Sequence, residues 1–132
     1  MFNLRIRYLS FFFGLITIFS FLNVIYSYYL NLYLNLDTYY YCLFISLIIS
    51  LIFYKVKILE KKPNIYHKIL TVFFGYISLP LILSIPYYLS IYNLTFLNSF
   101  FEAISGFTST GFTIFENIKH IDQSLILWRS ST

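Results

Sequence analysis

Three long apolar runs, each bounded by polar or basic residues, dominate the chain: roughly Leu9 to Leu30, Thr38 to Tyr54 and Ile69 to Ile91. With a rise of 1.5 Å per residue, about 20 apolar residues in a helix cross a hydrocarbon core of about 30 Å. Each run therefore predicts a transmembrane helix. The third contains Gly75, Pro80 and Pro86, and its prolines predict a kink or an early end, tolerated where neighbours satisfy the freed carbonyls. The pattern then changes. Leu97, Phe100, Phe101, Ile104 and Phe107 follow the three-and-four spacing of a short one-faced helix, which stops at a glycine and a run of hydroxyls. A further apolar run starts near Ser124 and continues to Thr132, as the first turns of a fourth span.

A short helix followed by an irregular polar segment, framed by hydrophobic spans, carries a structural implication. Non-helical backbone at membrane depth is tolerated only where protein or a water-filled cavity satisfies its polar groups. The expected fold class is thus an all-α membrane protein with three transmembrane helices, a re-entrant pore helix with its filter loop, and the start of a fourth span. Two parts are expected: residues 1–62 as two leading helices, and residues 63–132 as a helix, pore loop and helix unit cut short in its last helix.

Composition agrees with this reading. The chain is 59% hydrophobic and 11% charged, with a mean hydropathy of +0.75; soluble domains are about 45–50% apolar. An aromatic share of 23% is read mainly as a compositional bias of the source genome. The net charge of +4 does not lie along one polar face, as a nucleic-acid surface would require, but at the ends of apolar runs. Arg5 and Arg7 precede the first run, and Lys55, Lys57, Lys61, Lys62 and Lys68 surround Pro63 between the second and third. By the positive-inside rule, both the N-terminus and this loop are cytoplasmic in a multi-pass protein of the inner (plasma) membrane. The stretch Tyr26 to Tyr41, rich in tyrosine with Asn31, Asn35 and Asp37, then forms a turn at the outer interface, and 116–122 an outer connection. A signal peptide would also start basic and apolar, but no small-residue cleavage site follows, since the chain's alanine is Ala103.

Candidate chemistry outside the loop is sparse. The single cysteine, Cys42, lies inside an apolar run and is read as a packing residue. His67 and His120 have no cysteine or paired carboxylate at ligand spacing and are read as solvated surface residues, with Glu116 and Lys119 as an exposed loop pair. No phosphate-cradling glycine motif is present, and the chain is not expected to be an enzyme or to hold an organic cofactor.

The segment Thr108-Ser109-Thr110-Gly111-Phe112-Thr113 is different in kind. A potassium filter replaces the ion's water shell with successive backbone carbonyls, which calls for small hydroxyl residues and a glycine able to take positive φ. The negative end of the short helix, near Ser105 and Gly106, would add its field. The candidate K⁺ filter is therefore the carbonyls of Thr108, Ser109, Thr110, Gly111 and Phe112.

At these residues the sequence resembles a known family. FFEAISGFTSTGFT followed by IDQSLILWRS is similar to the first pore loop and next helix of the Trk-type potassium uptake proteins, the TrkH and KtrB group. Ser109 stands where threonine is common in that family, and Phe112 where a smaller residue is usual. The resemblance implies K⁺ uptake, with Na⁺ as a second possible cargo. It further implies a homodimer of pore subunits on a cytoplasmic nucleotide-binding regulatory subunit, with these residues forming an amino-terminal piece of a longer pore subunit. The reading from a different class is a non-transporting helical subunit of a larger membrane complex.

Two charges complete the expectations. Glu102 lies beside the stripe of the short helix and Arg129 about one turn into the following span, both below the outer interface. Charges there usually find partners, so Glu102 and Arg129 are expected to pair and fasten the pore helix to the next span. The alternative has Glu102 facing an outer vestibule and Arg129 snorkelling to headgroups.

Overall fold

The computed structural model describes residues 6–56, 65–116 and 121–132. Among these the protein is all-helical: α1 (Ile6–Tyr29), α2 (Leu36–Lys55), α3 (Ile65–Leu83), α4 (Ile85–Tyr88), α5 (Phe96–Phe107) and α6 (Gln123–Ser131). Three segments are long and apolar enough to cross a membrane, Tyr8–Tyr29, Leu36–Lys55 and Ile65–Tyr88. Arg5, Lys57, Lys61, Lys62 and Pro63 lie outside the described residues, as do Lys119, His120 and the expected boundary at 62/63.

Helices α1 and α2 form an antiparallel hairpin held by small and hydroxyl residues. The hydroxyls of Ser10 and Ser50 each donate to the other residue's carbonyl at 2.9 Å, and Thr17 and Ser46 meet at 2.9 Å. Gly14 lies between these pairs, its Cβ direction 3.6 Å from the Ser50 hydroxyl. Close backbone approach with hydroxyl bonding is how helices associate in lipid, where apolar burial supplies little drive. The remaining faces carry Phe11, Ile18, Phe21, Leu47 and Leu51, all exposed.

The turn between α1 and α2 is shorter than the expected stretch Tyr26–Tyr41, because α1 runs on to Tyr29. Asn31 sits at φ 56, with the Leu32 amide donating to Ser27 and the Asn31 amide to Tyr28, at 2.8 and 3.3 Å. These are the two bonds of a Schellman cap, and asparagine is one of the few residues that holds its left-handed position cheaply.

The third apolar run divides where its second proline falls. Pro80 lies inside α3 without ending it, whereas Pro86 opens α4 after a break at Ser84. A proline at 86 cannot donate to the carbonyl of residue 82. That carbonyl instead accepts from the Cys42 thiol at 3.6 Å, and the adjacent Leu83 carbonyl accepts from the Trp128 indole at 3.2 Å. Cys42 thus packs, as expected, and also caps a broken helix. Trp128, Tyr39, Tyr87, Leu83 and Leu125 form the centre of the core, all buried. His67, expected on the solvated surface, is half-buried with its Nδ1 enclosed; Glu116 is exposed.

Candidate functional site

The segment that carries the loop begins and ends at one place. Asn35, fully buried at the head of α2, accepts from the Ile91 amide at 3.2 Å and donates to Asp122 at 2.9 Å. The Asp122 amide donates to the Tyr92 hydroxyl at 2.7 Å, and Asp122 caps α6 through the Ser124 amide at 3.3 Å. The chain therefore leaves α4 and enters α6 at the same end of the bundle, beside the turn between α1 and α2. Residues 93–116 lead away from that end, and the chain is back at it by Ile121 and Asp122.

Helix α5 opens with Thr95 as N-cap, its hydroxyl accepting from the Asn98 amide at 3.4 Å. Its faces are inverted relative to a helix in water. Ser99, Glu102, Ala103 and Ser105 are buried, while Phe96, Leu97 and Phe101 of the apolar side are exposed. The expected periodicity is present, but its apolar stripe is divided: Leu97 and Phe101 are exposed, while Phe100 and Ile104 are half-buried and Phe107 packs against the core. Only a surrounding apolar medium or further protein makes this arrangement favourable.

The helix ends in a second Schellman cap. The Thr110 amide donates to Ser105 at 3.1 Å and the Ser109 amide to Gly106 at 2.9 Å, with Ser109 at φ 56. The carbonyls of Ser105 and Gly106, expected to turn their partial charge toward a cation, are thus engaged by the loop itself. The loop then doubles back along α5. The Ser105 hydroxyl donates to the Phe112 carbonyl at 2.6 Å and the Thr110 hydroxyl to that of Ser105 at 3.2 Å.

Glu102 and Arg129 lie behind this loop. Their charged atoms approach to 3.3 Å, with Glu102 fully buried and the Arg129 side chain 18% exposed. The other Glu102 oxygen accepts from the Thr113 hydroxyl at 2.7 Å and the Ile114 amide at 2.5 Å. The second terminal nitrogen of Arg129 donates to the carbonyls of Gly111 at 3.3 Å and Phe112 at 3.1 Å. A Glu102 carboxylate this enclosed is not available to an outer vestibule.

The five candidate carbonyls consequently differ. Gly111 and Phe112 have theirs held by protein donors, whereas among the described residues no donor meets those of Thr108, Ser109 and Thr110. The side chains of Thr108 to Phe112 are all exposed, Phe112 by 69%. Gly111 adopts φ +75 with nothing within 4 Å of where a Cβ would stand. Sequence reasoning missed the bonds that the side chains of Ser105, Thr113 and Asn35 make. The first two carry a signal in hindsight, hydroxyls on the glutamate face and just past the glycine, while nothing in the sequence links Asn35 to Asp122.

No family model matches the chain. Over 102 residues, 76% of this chain, it is 28% identical to a protein of Methanocaldococcus jannaschii named as an uncharacterized cation transporter. The chain spans 22% of that relative's length. With three helices of membrane-crossing length and apolarity and this similarity, the protein is a membrane protein.

Proposed function

We propose that this chain contributes one loop of a cation pathway, and that the cation is K⁺. The observation that carries the reading is α5 with its loop: an inside-out helix whose flanking chain returns to one end of the bundle. That is the form a re-entrant segment takes when its apolar side meets lipid or neighbouring protein and its polar loop meets water. Within the exposed hydroxyl-rich segment Thr108–Phe112, the carbonyls of Thr108, Ser109 and Thr110, which no donor meets among the described residues, are of the type that replace a cation's hydration shell. The cation transporter named above supports the general activity; the choice of K⁺ and of a Trk-type pore rests on the motif. In this reading the pore subunit is a homodimer in the plasma membrane, with a cytoplasmic N-terminus and a nucleotide-binding regulatory subunit beneath it.

The test is cation uptake by the full-length protein in cells lacking their own potassium uptake systems. Growth at low K⁺ and saturable ⁸⁶Rb⁺ uptake, competed by K⁺ more strongly than by Na⁺, are the expected results. Normal membrane abundance with no uptake of either ion would favour a non-transporting scaffold.

A further inference from the structure

We propose that Glu102 and Arg129 are positioning residues that determine specificity, setting which carbonyls the loop presents to a cation. The inference rests on the cation-pathway reading and adds a mechanism to it. The returning limb of the loop has little else to define it. Gly111 has no side chain and Phe112 projects outward, 69% exposed. Five polar contacts fix the limb instead: Thr113 and Ile114 on Glu102, Gly111 and Phe112 on Arg129, and the Phe112 carbonyl on the Ser105 hydroxyl as well, so that four of the five run through the ion pair.

The two halves of this clamp belong to different helices, α5 and α6, and they close on each other through the ion pair. Arg129 holds the Gly111 and Phe112 carbonyls, the latter together with Ser105, while those of Thr108, Ser109 and Thr110 have no protein donor among the described residues. A planar guanidinium can face a carboxylate with one nitrogen and two carbonyls with another; a lysine ammonium supplies the same charge from a single point. Charge neutralisation and loop geometry are thereby separable by substitution.

Arg129→Lys in the full-length protein keeps the charge opposite Glu102 and is expected to reach the membrane at near-normal abundance. Its K⁺ over Na⁺ preference, measured per molecule at the membrane, should fall by about tenfold or more, since small shifts in carbonyl placement decide ion discrimination. The double variant Glu102→Gln, Arg129→Gln removes both charges and should show the same loss, and it carries the test if Arg129→Lys is poorly produced. Unchanged preference in either variant, with flux intact, overturns the proposal while leaving the pathway standing. Absence of cation flux in the unaltered protein overturns the pathway reading, and this proposal with it.

Discussion

Gly111→Val is expected to abolish selective cation uptake while leaving the protein in the membrane. Gly111 sits at φ +75, and a Cβ there would meet nothing within 4 Å. Among the described residues a Cβ at this position therefore acts through the backbone and not through a clash. A left-handed conformation costs an L-residue roughly 1–2 kcal/mol, and a β-branched residue more. The chain can escape that cost by rotating the 110–111 peptide, which changes φ at 111 and swings the Thr110 carbonyl, one of the three that no protein donor meets among the described residues. A graded order follows: Asn tolerated best, Ser intermediate, Val worst. The measure is ⁸⁶Rb⁺ uptake and K⁺/Na⁺ preference at matched abundance; equal behaviour of Asn and Val would remove the backbone argument. Ser109 obeys the same rule. Threonine is common at this position in the family the sequence resembles, but the φ of 56 at Ser109 makes a β-branched replacement strained here and glycine the benign one.

Trp128→Ala is expected to give the largest loss of stability in the chain. The ring is fully buried, lies 5.9 Å from that of Tyr39 and donates to the Leu83 carbonyl at the break in the third span. Removing a buried aromatic costs about 3–5 kcal/mol through lost packing and the cavity left behind. In lipid the lower part of that range is the better guide, because helix association there relies on packing more than on apolar burial. Trp128→Phe keeps most of the volume but strands the carbonyl, for roughly 1–3 kcal/mol. Thermal unfolding in detergent should rank wild type above Phe above Ala. Identical losses for Phe and Ala would mean that the hydrogen bond to Leu83, and not the packing of the ring, holds α6 in place.

The long helices were legible because a run of apolar residues at bilayer length has few other solutions. Their ends were not, since each is decided by a single residue: Asn31, which prolongs α1 through its cap, and Pro86, which breaks the third run where Pro80 does not. The period of α5 was readable, but not which of its residues turn inward, because the buried Ser99, Glu102, Ala103 and Ser105 lie beside the stripe and displace Leu97 and Phe101 to the exposed side. Glu102 and Arg129 were worth placing together on energetic grounds alone, given the cost of isolated charge at membrane depth. Their contacts with the loop were not legible. Those depend on Ser109 taking a left-handed conformation usually left to glycine, which folds the loop back along α5 and swings the Gly111 and Phe112 carbonyls to Arg129.

Whether the loop lines a cation path can be read from thiol accessibility. Cys42 is buried and gives a quiet background, whereas Thr110 is exposed on the loop. In the full-length protein stripped of other reactive cysteines, Thr110→Cys should lose cation flux on exposure to Ag⁺, and saturating K⁺ should slow that loss. A cysteine at the outward-facing Phe73 of α3, 59% exposed, should leave flux unchanged. Full silver modification of Thr110→Cys with undiminished flux would contradict a pore-lining loop, because no ion could then be passing that residue.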